Sequence, residues 1–68
     1  MNVIVREVSK KDLYRRHTVG MTGNLIDGFF VGGGEYQNAV IVFLLNDGSK
    51  QIEKLIRFNR VKVEEIGV

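Results

Sequence analysis

A mainly all-β fold, with five short strands bent into one small barrel, is what this 68-residue sequence predicts. Three observations carry that expectation. Short β-branched and aromatic runs recur along the chain, at Val3–Val8, Leu25–Val31, Asn38–Leu45 and Val61–Ile66. Asn46-Asp47-Gly48-Ser49 is a tight-turn signal set between two such runs, since Asp and Gly accept the positive φ that hairpin turns need. The chain is also too short for five strands to fill two packed sheets, and closing one sheet on itself removes exposed edges.

The elements follow in order. Asn2 to Val8 holds Val3, Ile4, Val5 and Val8 and reads as the first strand. Lys10 to His17 is polar, with Leu13 and Tyr14 its only large apolar members, and is expected to be an exposed loop with one helical turn. Gly20 and Gly23 punctuate the chain before Leu25-Ile26-Asp27-Gly28-Phe29-Phe30-Val31, a second strand with a kink or bulge at Gly28. Gly32, Gly33 and Gly34 then break it as a flexible loop. Asn38 to Leu45 is nearly continuous in Val, Ile, Phe and Leu, as in a central strand buried on both faces. Lys50 to Asn59 admits two readings. As a strand it pairs across the turn, with Ile52, Ile56 and Phe58 on one face. As a helix it sets Glu53 and Arg57 at i,i+4, and the whole becomes α+β with a helix at about 50–59. The strand is preferred, because a strong turn attached to a strong strand calls for a partner. Val61 to Ile66 closes the chain as a fifth strand. Residues 1–68 thus form a single small β-barrel domain, without repeats or low-complexity segments.

That order of loops is similar to the SH3-like small-barrel superfold. Residues 9–24 correspond to its long first loop, 32–37 to its second, 46–49 to its distal hairpin and 57–60 to its short 3₁₀ link. Val19-Gly20-Met21-Thr22-Gly23-Asn24-Leu25-Ile26 resembles the glycine-spaced core of KOW motifs, without the basic residues usual among those glycines. Leu55-Ile56-Arg57-Phe58-Asn59-Arg60-Val61 resembles the second Sm motif in outline, with Phe58 where that motif carries Gly. Leu13-Tyr14 resembles the aromatic patch of peptide-binding SH3 domains. The chain has no Trp and no Pro, so the usual PxxP groove cannot be assembled. The KOW and Sm resemblances imply RNA or a nucleoprotein partner.

Composition excludes several functions. There is no Cys and a single His, His17, so disulfides, cysteine nucleophiles and multi-histidine metal sites are absent. No cofactor and no metal site is expected. The longest apolar run, Ala39 to Leu45, is far below the roughly 18–20 residues of a membrane span. The N-terminal residues lack the order of a secretory signal, so a cytoplasmic protein that does not enter membranes is expected. The net charge is +2 and unevenly spread. Residues 6–17 carry Arg6, Lys10, Lys11, Arg15 and Arg16 against Glu7 and Asp12. Residues 50–62 carry Lys50, Lys54, Arg57, Arg60 and Lys62 against Glu53, while 18–49 is acidic.

In a small barrel the first loop and the 57–60 link lie near each other. Lys10, Lys11, Arg15 and Arg16 would then join Arg57 and Arg60 in one positive face for phosphates, with Tyr14 as a stacking surface. The ordinary alternative is that these are solubilising charges. Gly32, Gly33 and Gly34 lack the Gly-Lys-Ser/Thr and following helix of a phosphate-cradling loop. His17 has Asp12 and Thr18 close in sequence, which is not a catalytic arrangement. Glu64 and Glu65 are successive residues of a strand and point to opposite faces. No catalytic residue is assigned. The expectation is a non-enzymatic binding or adaptor module whose basic face takes nucleic acid; the alternative is a protein–protein interaction module, or a small regulator or inhibitor, docking on an acidic surface of a larger protein. Because so small a barrel cannot cover both faces of the 39–45 strand, a homo-oligomer or strand addition at an edge is also expected.

Overall fold

The structure is a computed structural model that describes residues 1–28 and 34–67. Among the described residues there are four strands and one 3₁₀ segment: β1 (Asn2–Val8), the 3₁₀ segment (Lys10–Thr18), β2 (Thr22–Asp27), β3 (Gln37–Asp47) and β4 (Lys50–Glu65). All neighbours are antiparallel, in the order β1-β2-β3-β4, and β4 returns to pair with β1, so the strands close into a ring. The fold is mainly β, as expected, with four strands where five were expected. No helix is long and apolar enough to cross a membrane among the described residues.

The missing strand boundary lies at residues 59–60. The segments expected as separate strands, Lys50–Asn59 and Val61–Ile66, are one sixteen-residue strand. The helix alternative for 50–59 is overturned: every residue from Val40 to Asp47 has a cross-strand partner on β4, from Arg57 back to Lys50. Where a link was expected, β4 carries a bulge. Ala39 faces Phe58 but Gln37 faces Val61, so β4 holds one residue more than β3 over that stretch. The bulge bends the strand, and a single strand then serves two neighbours. Its first part pairs with β3, and Val61 to Glu65 pair with β1.

The other junctions are as local. Gly48 has φ +64°, and Ser49 does not enter the left-handed region. With Asp47 paired to Lys50, this is the pattern of a two-residue turn with Gly at its first position. The bulge expected at Gly28 falls earlier, with the register of β2 on β3 shifting between Leu25 and Asp27. Gly28 instead ends the strand, at φ +102°. Phe29 to Val31, and with them Gly32 and Gly33, lie outside the described residues; Gly34 is exposed, at φ +78°.

The core is the inside of the ring. Val3 and Val5 of β1, Leu25 of β2, Ala39, Ile41 and Phe43 of β3, and Ile56, Phe58, Val61 and Val63 of β4 form one buried cluster. The Phe43 and Phe58 rings meet edge to face, 6.4 Å between centroids. Gly23 lets β2 come close to β3: a Cβ there would sit 2.6 Å from Ile41 Cγ2 and 2.9 Å from the Val42 carbonyl oxygen. The two-sided burial expected of 38–45 holds only at its start. Val40 is buried beside Ala39 and Ile41, whereas Leu44 is exposed.

Candidate ligand-binding surface

One buried carboxylate positions the basic segment. Asp12 is fully enclosed, and its backbone has φ −117° and ψ 23°, a kink that joins two 3₁₀ turns. The kink turns the side chain onto the β4 bulge. The Asn59 backbone N–H donates to both Asp12 oxygens, at 3.3 and 3.1 Å, and Asn59 Nδ2 donates to Oδ1 at 3.0 Å. The Arg60 backbone N–H donates to Oδ2 at 2.9 Å. A bulge leaves backbone donors without a ladder partner. An ionised carboxylate is the strongest acceptor a side chain can offer them. Ser9 N–H donates to the Arg60 carbonyl at 3.1 Å and closes the same junction from β1. The segment ends as Thr18 Oγ1 donates to the Arg15 carbonyl and Val19 N–H to that of Arg16.

With Asp12 turned inward, the outward side of the segment is cationic. Lys10, Lys11, Arg16 and His17 are exposed. Among the described residues the ion pairs are Arg6 with Glu64 at 2.7 Å and Lys62 with Glu7 at 3.4 Å, so no carboxylate neutralises Lys10, Lys11 or Arg16. Arg15 is half-buried. Its guanidinium carbon lies 4.9 Å from the Tyr14 ring centroid and 5.8 Å from that of Phe58, and its Nε has no hydrogen-bond partner. It is held by the rings, not by a carboxylate. Tyr14 is 68% exposed. Arg57, next to Phe58 in β4, is exposed on the outside of the ring.

Arg60 belongs to a second grouping. Its guanidinium carbon lies 6.0 Å from the Tyr36 ring centroid, and Lys62 Nζ lies 4.6 Å from the same ring. The Tyr36 hydroxyl donates to Glu7 Oε1 at 2.7 Å. That hydrogen bond, with the Lys62 ammonium nearby, holds the Glu7 carboxyl below its ordinary 4.5. The same bond raises the Tyr36 hydroxyl above its ordinary 10.0, because the neutral form is the donor.

The sequence-predicted residues are therefore not brought into one cluster. Lys10, Lys11, Tyr14, Arg15 and Arg16 share the 3₁₀ segment. Phe58 links Arg15 to β4, and Arg60 faces the Tyr36 side. The sequence reading missed Asp12 as the anchor, and Tyr36, Glu7 and Lys62 as neighbours of Arg60. A lone acid in a basic stretch was the available signal for Asp12. Asp12 is spent on Asn59 and Arg60 and Thr18 on the Arg15 carbonyl, and neither is engaged with His17. Among the described residues no three acidic or histidine side chains converge as a metal site would require. Comparison with protein-family models, curated proteins and solved structures finds no match.

Proposed function

We propose that this chain is a non-enzymatic binding module of the small SH3-like barrel type, cytoplasmic, that holds single-stranded nucleic acid on its 3₁₀ segment. The observation that carries this reading is the inward turn of Asp12. It removes the segment's one negative charge from the surface and leaves Lys10, Lys11 and Arg16 exposed without a counter-ion. Phosphates bind such a surface by displacing its counterions and their own. Tyr14 offers an exposed ring beside these cations, with Arg15 already laid on one side of it. A base stacks on the other side. Arg57, exposed on the outside of the ring, adds a further cation for phosphate.

The test is fluorescence anisotropy with a labelled single-stranded RNA and a matched DNA at two salt concentrations. Binding should fall with salt at a log–log slope of about −0.7 per phosphate contact, near −2 for three contacts. Replacing Lys10, Lys11 and Arg16 together by Ala should abolish it irrespective of base sequence. No binding at either salt would sink this reading and leave an acidic protein surface as the partner for the same face.

A further inference from the structure

The distal half of the β3–β4 hairpin is unfinished as a sheet. β4 pairs with β1 only over Val61 to Glu65, so among the described residues no strand lies beside Lys50 to Arg57 on the side away from β3. All of these residues except Ile56 are exposed. The two-residue turn makes Asp47 and Lys50 a hydrogen-bonded pair, and antiparallel alternation then directs the N–H and C=O groups of Gln51, Glu53, Leu55 and Arg57 to the open side. The side chains of Glu53, Leu55 and Arg57 share the outer face. Leu55 lies opposite Val42, and Leu44 opposite Glu53. Leu44 and Leu55 are more than half exposed, at 59% and 57%. Neither Glu53 nor Arg57 has an ion pair among the described residues.

We propose that a second copy of this chain completes the sheet here, as a two-fold dimer through β4 with Leu55 facing Leu55 on the axis. The charge pattern selects this register. With Leu55 on the axis, Glu53 of each copy lies opposite Arg57 of the other, twice by symmetry, flanking an apolar centre. Centring on Glu53, Lys54 or Arg57 sets like charges face to face, and centring on Ile52 sets Lys50 against Lys54. Centring on Gln51 or Ile56 leaves Glu53 and Arg57 uncompensated. The Leu55-centred register also makes Val42 and Leu55 of both copies one continuous outer stripe, and it satisfies the open backbone groups of Glu53, Leu55 and Arg57. The dimer stands independently of the nucleic-acid reading and uses a different part of the molecule, Arg57 excepted.

The interface is one short strand per copy, at the small end of specific interfaces, so weak, concentration-dependent self-association is expected. Sedimentation velocity from about 5 µM to about 1 mM should show a monomer passing to a dimer. Arg57→Glu should weaken the dimer by about tenfold or more, and Glu53→Arg combined with Arg57→Glu should restore it. Because the chain has no Cys, single-cysteine variants read the register directly. Leu55→Cys should crosslink to its copy on mild oxidation, since opposed Cα atoms are about 5.5 Å apart. Gln51→Cys should not. Circular dichroism of each variant separates loss of the dimer from loss of the fold. A folded wild type that stays monomeric to the top of the range would overturn the proposal, leaving Lys50 and Lys54 as charges that keep this edge apart. Crosslinking at 51 or 53 in preference to 55 would overturn the register.

Discussion

The two halves of β4 follow the same alternation and meet opposite fates. In the proximal half Phe58, Val61 and Val63 are all under 10% exposed. In the distal half Ile56 is still buried next to the ring, but Ile52, on the same face, is 43% exposed, and Leu55, on the outer face, is 57% exposed. The difference is not local. Proximally, β1 closes the ring over β4; distally, only β3 accompanies it. Alternation makes a strand, but the topology decides which face and which half is buried.

Substitutions can break or sharpen that contrast. The largest effect is expected from Phe58→Ala, which removes the ring that packs on Phe43 and carries Arg15. A buried Phe truncation costs about 3–5 kcal/mol, comparable to the whole stability of so small a domain, so circular dichroism should show an unfolded chain. Asp12→Ala should cost about 2–4 kcal/mol in urea titration, because it strands the N–H donors of Asn59 and Arg60 at the bulge. Gly23→Ala, where the new methyl meets Ile41 and the Val42 carbonyl, should cost about 1–3 kcal/mol. At the distal end Leu44→Ala should change the stability of the monomer by no more than about 0.5 kcal/mol. A large loss there would mean the tip is part of the core.

The smallest effect is electrostatic. The depressed Glu7 carboxyl contributes stability present above its ordinary 4.5 and lost as pH falls through its lower folded value. The raised Tyr36 hydroxyl contributes stability present below its ordinary 10.0 and lost as pH rises through its higher folded value. The shared contact is therefore intact between those limits. Both groups meet solvent, so salt should weaken the effect. Tyr36→Phe should return the Glu7 titration toward its ordinary value by NMR, with little change in thermal stability.

What the sequence made legible was local. The β-branched run of β1, the apolar run of β3 and the Asp47–Gly48 turn announced strands and a hairpin without reference to the rest of the chain. The continuity of β4 was hidden because Asn59-Arg60 looks like an interruption. It is tolerated only because Asp12, forty-seven residues away from Asn59, accepts its N–H. That pairing has no local signature, since Asp12 sits among charged residues that read as solvated. The basic residues of 10–16 were legible as composition. Their division from Arg60, which faces Tyr36 instead, follows from where the bulge turns successive side chains.

The contrast between the closed ring and the open hairpin is tested most directly by residue-resolved amide hydrogen exchange at two protein concentrations. At low concentration the amides of Val3, Val5, Ile41, Ile56 and Val63 should exchange slowly, and those of Glu53, Leu55 and Arg57 quickly. At high concentration the latter three should become protected while the ring amides stay as they were. Protection of Glu53, Leu55 and Arg57 already complete at low concentration, or absent at any concentration, would contradict an edge left open for a second copy.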